Sequence, residues 1–265
     1  MELDDERAGA FEREGFLFLP GLLTGPEVDV LERELPEVTD PNRTSLVLDA
    51  GNETVRMVHG AHFRSPVFSR LVRHPRLVQP AERLLGGAAY VYQTRLNLKE
   101  GLRSRPSQGY PWHQDFSTWH LRDGLPQPRA LVVFVFLDDV TACNAPLMVI
   151  PRSHRHGLLG DVAAATDPAG EYQQVLLPPE LLRALCAEGG IEAVLGPRGS
   201  VLLMHCCLAH ASTENLSPLR RALYSVVFAA TANVPLRPHR PEHYTPRQLT
   251  PVAALGDDCL LADRP

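Results

Sequence analysis

The chain has no apolar run near the roughly 18 residues that a membrane-spanning helix requires, so no such helix is expected. It has no strong charge of one sign either. Twenty-six Lys and Arg against 31 Asp and Glu leave a formal charge of −5, which gives no overall attraction to nucleic acid or anionic lipid. The five cysteines are scattered, odd in number and never spaced CxxC, which argues against a disulfide framework and an all-cysteine zinc site. They read as buried or incidental thiols in a reducing compartment. No internal repeat or low-complexity linker divides the 265 residues, so one domain over 1–265 with a substantial core is expected. The opening MELDDERAGAFEREG is acidic and polar where a signal peptide would start basic, and a cytoplasmic location is expected. The expected partner is a small molecule, with neither nucleic acid nor membrane involved, and the chain a monomer or homodimer.

Aromatic residues are scarce at 6%, yet four of them crowd into Gly109–Gly124, GYPWHQDFSTWHLRDG. That stretch also holds both tryptophans of the chain, together with His113, His120, Asp115 and Asp123.

The surrounding pattern divides the chain into a helical part over about 1–88, a strand-rich core over about 89–233 and a proline-dense tail over 234–265. GFLFLPGLL reads as a short strand ending at Pro20. TGPEVDVLERELPEV starts a helix capped by Thr24, with Val28, Leu31 and Leu35 on one face. HPRLVQPAERLLGG and PPELLRALCAEGG carry the same signature of proline at entry and glycine at exit. YVYQTRLNLKE alternates, which predicts Tyr90, Tyr92, Thr94, Leu96 and Leu98 on one side and Val91, Gln93, Arg95 and Asn97 on the other. ALVVFVFLDDV is continuously apolar and is expected to be buried on both faces. APLMVIPRSH, GSVLLMHCCLAH and RALYSVVFAATAN follow as further strands. Late strands with flanking helices indicate a mainly β fold, a sandwich or barrel with helices outside it. The tail is expected to fold back over the domain.

In a strand, residues i and i+2 share a side, so His113 and Asp115 are set to converge on one ion. His210, at the end of GSVLLMHCCLAH, is a third candidate. Two histidines and a carboxylate that leave coordination sites open are the donor set of non-haem Fe(II) oxygenases. Among the competitors, His205 differs from His210 in strand parity. His120 falls in an expected loop, and His154 and His156 fall in a turn. His205 with Cys206 and Cys207 is a conceivable soft-metal set that lacks evident further partners in the sequence.

YQTRLNLKEG, PWHQDFSTWHLRDGLPQPRAL, NAPLMVIPRSH, HCCLAHAS and RRALYSVVF together resemble the phytanoyl-CoA dioxygenase superfamily over roughly Phe11 to Asn233. In these motifs the chain resembles ectoine hydroxylase and related bacterial amino-acid hydroxylases. The resemblance implies a double-stranded β-helix, the cupin-like jelly roll. It implies a reaction using Fe(II), 2-oxoglutarate and O2, in which oxidative decarboxylation to succinate and CO2 accompanies hydroxylation of an unactivated carbon. His113, Asp115 and His210 match the iron ligands. Arg221, eleven residues after His210, matches the arginine that binds the distal carboxylate of 2-oxoglutarate, where a bidentate and permanent cation suits the ligand. Ser212, Gln93 and Asn97 match polar residues bordering that cosubstrate. Trp119, Arg95, Arg129 and Ser225 are the candidates for substrate contact, although Trp119 reads equally well as a core aromatic. Tyr110 reads as a loop or core residue.

Asp115 also bears on the type of reaction, because related halogenases carry Gly or Ala there. The chain departs from the family pattern at Gln114, where serine or a similar residue is usual, and at Ser225, where ectoine hydroxylase has an aromatic residue. The basic insert RSRPSQ reads as a lid. The expected reaction is hydroxylation of a free amino acid or cyclic imino acid in specialised metabolism such as antibiotic biosynthesis. The alternatives are desaturation, cyclisation or epimerisation by the same cofactors, or a non-catalytic metal-binding cupin module.

Overall fold

A computed structural model describes residues 3–40, 42, 46–48, 54–102, 109–159, 164–166 and 173–262. The insert at 103–108, read as a lid, lies outside them. The helical part runs α1 (Asp5–Glu14), β1 (Phe16–Leu19), α2 (Gly25–Arg33), α3 (Leu35–Val38), β2 (Leu46–Leu48), β3 (Val55–His59), α4 (Pro66–Leu71) and α5 (Pro75–Leu85). The core continues with β4 (Ala89–Lys99), β5 (Tyr110–His113), α6 (Asp115–Thr118), β6 (Ala130–Phe136), β7 (Leu147–Val149), β8 (Ala164–Thr166) and β9 (Gln173–Val175). It closes with α7 (Pro179–Gly189), β10 (Glu192–Val194), β11 (Val201–His205), β12 (His210–Ser212) and β13 (Arg221–Ala230).

Seven strands form one sheet in the order β1-β11-β6-β13-β4-β3-β2, and four form a second in the order β10-β7-β12-β5. Their pairings are antiparallel. This is the expected double-stranded β-helix with helices packed outside the larger sheet. The apolar run of β6 is buried on both sides. Leu131, Val133 and Val135 meet the helices, while Val132, Phe134 and Phe136 face the smaller sheet. On the helix side they join Val28 and Leu31 of α2, Phe68 of α4 and Leu77 and Val78 of α5. Between the sheets they meet Leu147, Val149 and Val194.

Two strand readings need correction. The alternation predicted along β4 reverses partway, because Val227 pairs with Gln93 but Phe228 pairs with Val91, which leaves Tyr92 as a bulge. The extra residue shifts the parity. Tyr90 and Tyr92 therefore point between the sheets, while Leu96 and Leu98 pack under the helices. The second correction concerns GSVLLMHCCLAH, which is not one strand. β11 ends at His205, the chain turns through residues 206–209, and β12 begins at His210 in the other sheet.

The tail does fold back, and one buried carboxylate gathers several of its contacts. Asp123 is fully buried and accepts hydrogen bonds from Arg240 at 2.7 and 2.6 Å, from the Thr245 hydroxyl at 2.6 Å and from the Tyr92 hydroxyl. Gln93 adds a bond from its amide to the Tyr244 carbonyl at 3.2 Å. Removing one member of a buried ion pair strands the other and costs about 3–5 kcal/mol. Asp123→Ala is therefore expected to lose about that much stability in urea unfolding, with Asp123→Asn in between. A loss below about 1 kcal/mol would show that this carboxylate does not hold the tail.

Candidate metal and cosubstrate site

β5 and β12 are neighbours in the smaller sheet, and His113 pairs directly with His210 across them. The two imidazole centroids lie 4.2 Å apart. Asp115 reaches the same point by a different route from the one predicted. The strand ends at His113, Gln114 is extended, and Asp115 is the first residue of α6. Its Oδ2 lies 3.7 Å from His210 Nε2, and donor atoms of the three residues all fall within 4.8 Å of one another.

The hydrogen bonds fix how these side chains present themselves. Nδ1 of His113 donates to the Pro111 carbonyl at 2.7 Å, and Nδ1 of His210 donates to the Leu208 carbonyl at 2.9 Å. Each ring thus keeps its basic nitrogen, Nε2, on the side of the triad, the usual orientation of a metal-ligating histidine. Burial, followed by the nearby His210, pushes His113 down to about 3, and burial also lowers His210. Both are neutral near pH 7 and keep a lone pair for a cation.

Burial would raise the Asp115 carboxyl, but the charge of Arg95, followed by His210 and His113, more than offsets it and holds the group ionised. Arg95 donates to Oδ1 at 3.1 Å. Oδ2 is buried and has no hydrogen-bond partner. A buried anionic oxygen left without a donor is costly, and a cation between the triad atoms would satisfy it. These residues fit a 2-His-1-carboxylate metal site.

Gln114, the departure from the family pattern, has a structural reason. Its side chain is fully buried, and its Nε2 donates to the Cys207 carbonyl at 2.6 Å and the Gly157 carbonyl at 2.9 Å. Its Oε1 accepts from the Leu159 N–H at 2.9 Å and the Ser117 hydroxyl at 3.4 Å. Two donors and two acceptors are all used, which ties the His113–Asp115 segment to the chain on either side of it.

A cavity opens beside the triad, lined by Arg95, Asn97, Tyr110, Ser212, Arg221 and Leu223 with both histidines. Arg221 and Arg220 separate sharply. Arg220 turns outward to Asp138, at 2.7 and 2.9 Å, and to Glu32 at 3.6 Å. Arg221 turns inward and is buried, and its guanidinium has no ion pair with a described residue and no partner for Nε. Burial pushes it down to about 10, still cationic at neutral pH. Its strand face continues through Leu223 and Val227, while Ala222, Tyr224 and Val226 pack under the helices.

Gln93, Trp119, Arg129 and Ser225 are not among the residues that line the cavity. Gln93 is engaged by the tail. Trp119 is fully buried between the sheets, with its ring centroid 5.1 Å from that of Tyr92. Arg129 is exposed and donates to the Leu85 carbonyl at the end of α5. The Ser225 hydroxyl bonds the Arg95 carbonyl at 3.2 Å. Arg95 itself lines the cavity, but its charge is committed to Asp115. Tyr110, read as a loop or core residue, lies on the cavity wall, with the Arg56 guanidinium 4.1 Å from its ring centroid. Its position three residues before His113 in the same strand was the signal available.

The remaining histidines are held elsewhere. His120 lies in a helical turn rather than a loop and bonds the Leu125 carbonyl. His154 meets the Glu12 carbonyl and His156 meets Glu188. His205 does point away from the triad, but the reason is that it belongs to the other sheet.

Comparison with known proteins gives the same picture. L-proline trans-4-hydroxylase of Streptomyces griseoviridis is 35% identical, with 94% of this chain and 95% of that protein covered. Ectoine dioxygenase of Bordetella parapertussis is 36% identical, over 99% of this chain and 88% of that protein. The crystal structure of EctD from S. alaskensis with 2-oxoglutarate and 5-hydroxyectoine superposes with a TM-score of 0.83 at 31% identity, covering 96% of this chain and 87% of that one. The phytanoyl-CoA dioxygenase (PhyH) family matches residues 11–223, and the chain belongs to that family.

Proposed function

We propose that the protein is an Fe(II)- and 2-oxoglutarate-dependent dioxygenase that hydroxylates a small molecule, a free amino acid or cyclic imino acid. The observation that carries this reading is the buried Arg221, without an ion pair among the described residues, in the cavity that His113 and His210 also line. One wall offers a metal-binding donor set and the other a desolvated cation, which suits a dicarboxylate spanning the two. The relatives that act on ectoine and L-proline support the substrate class.

His113, Asp115 and His210 would hold Fe(II), and Arg221 with Ser212 would take the distal carboxylate of 2-oxoglutarate, bordered by Asn97. Iron with this cosubstrate and O2 supplies the oxidising power to break an unactivated C–H bond. The chain's own contribution is positional. Arg95 keeps Asp115 ionised and turns one oxygen toward the triad. The Pro111 and Leu208 carbonyls fix the imidazole tautomers. Phe134, Leu147 and Leu223 line the cavity with apolar surface that limits water.

Succinate release with Fe(II) and 2-oxoglutarate across a panel including L-proline and ectoine, with mass analysis for one added oxygen, tests the reading. Turnover of a panel member is expected, and its loss in His113→Ala. Succinate formation with no gain of oxygen in any product would favour desaturation, cyclisation or epimerisation instead.

The two arginines give a sharper test. Arg221→Ala leaves a carboxylate facing an apolar wall, at a cost of about 3–5 kcal/mol. The KM for 2-oxoglutarate should rise by roughly two to three orders of magnitude, at about 1.4 kcal/mol per tenfold. Arg221→Lys should recover only part of this, and Arg220→Ala should leave it near wild type. Equal effects at both positions would remove the cosubstrate role from Arg221.

Gln114→Leu keeps the bulk but removes the ties around the ligand segment. Loss of an interaction supporting metal ligands typically costs about 10–100-fold in metal affinity. Equilibrium binding of Fe(II) under anaerobic conditions should weaken by that order while the circular dichroism spectrum stays native. Unchanged affinity would make Gln114 a packing residue only.

A further inference from the structure

The turn that carries the chain from one sheet to the other holds a second set of metal-compatible donors. His205, Cys206 and Cys207 bring an imidazole nitrogen and two thiols within 4.8 Å of one another. Both thiols are buried and free of disulfides, and His205 is only half-buried, which leaves a side for approach. The set is held in place. The Cys206 thiol donates to the Pro128 carbonyl at 3.3 Å, and the Cys207 N–H donates to His205 Nδ1 at 3.0 Å. The rings of Phe11 and His154 flank His205 at 6.4 and 5.2 Å.

The donor chemistry differs from that of the triad. Two sulfurs and a nitrogen select soft, closed-shell cations, whereas two nitrogens and a carboxylate suit Fe(II). The thiols are also prepared unequally. The contact with Cys206, and then that with His205, pull Cys207 down to about 6 against the effect of burial, while burial pushes Cys206 well up. Both sulfurs give up their protons as the metal–sulfur bonds form.

We propose that His205, Cys206 and Cys207 form a binding site for one thiophilic divalent cation of the Zn2+ and Cd2+ class, distinct from the triad. Both thiol protons pass to solvent and no electron is transferred. The site is coupled to the triad through backbone. The Cys206 carbonyl accepts the Phe116 N–H at 3.1 Å and the Cys207 carbonyl accepts Gln114, so the turn grips the residues on both sides of Asp115. A cation that draws the two sulfurs together moves those carbonyls, and with them the ligand carboxylate.

The test is a Cd2+ titration of the metal-free full chain, following the ultraviolet sulfur-to-cadmium charge-transfer band, to which the sulfur-free triad cannot contribute. One equivalent of sulfur-bound cadmium is expected, with the band retained in His210→Ala and in Cys143→Ser. Cys206→Ser and Cys207→Ser should each weaken binding at least about tenfold, the scale of a lost ligand or support. No band in the native protein, or a band that survives in both serine variants, overturns the proposal. X-ray absorption of the zinc-loaded wild-type protein needs no variant. Two sulfur neighbours at about 2.3 Å are expected, and a shell of nitrogen and oxygen alone overturns the site. Because the readout is sulfur ligation in a chain that need not turn over, its failure is separate from any failure of the dioxygenase reading.

Discussion

The Arg95–Asp115 pair is the contact on which the site depends. Arg95 rises from β4 in the larger sheet, and Asp115 sits just past β5 of the smaller one, so the pair spans the gap between the sheets. Removing two charges from water is expensive, and a buried pair is often no more stable than an apolar replacement. Its value here is directional. One carboxylate oxygen is consumed by the guanidinium, the other is left toward His113 and His210, and the charge of Arg95 prevents the anion from escaping its burial by protonation. A hydrophobic pair could close the gap, but it could not leave an oxygen exposed to a cation.

The same logic separates two adjacent arginines of β13. Strand geometry sends them to opposite faces. One finds Asp138 and Glu32 at the surface, while the other is left buried beside the triad without an anion among the described residues. A fold optimised only for its own stability would pair both. The buried cation resembles the orphan Asp115 oxygen: each is a local cost that binding would relieve, one within the triad and the other in the cavity beside it.

Much of this was legible beforehand. The apolar run of β6, the caps of α2, α5 and α7 and the triad itself all rest on local signals: periodicity, proline and glycine placement, and residue type at a fixed spacing. What sequence could not show was the breaks in regularity. Tyr92 looks like any other strand residue, yet bulging there reverses the faces of β4, and no local pattern marks a bulge. GSVLLMHCCLAH reads as continuous because its turn consists of apolar and thiol residues rather than glycine and proline. Asp115 converges with His113 through a helical turn instead of a strand, so the two arrive together although the predicted geometry was not used. The contacts of Gln93, Trp119 and Arg129 were hidden for a related reason. Their strands and turns point them toward the tail, the inter-sheet core and the end of α5, and such long-range partners leave no trace in local sequence.

The buried Asp123 sets the order in which the molecule can be completed. It terminates the helical stretch that begins at Asp115, and its partners Arg240 and Thr245 lie 117 and 122 residues further along the chain. During synthesis, which proceeds from the N-terminus, the triad residues emerge well before the segment that neutralises Asp123. A carboxylate without those partners is costly to bury at the far end of the ligand-bearing turn. Contacts so distant in sequence are also among the slowest to form. The far end of the ligand-bearing turn is thus fixed by contacts 117 and 122 residues away, and ordering it means closing a long loop of chain.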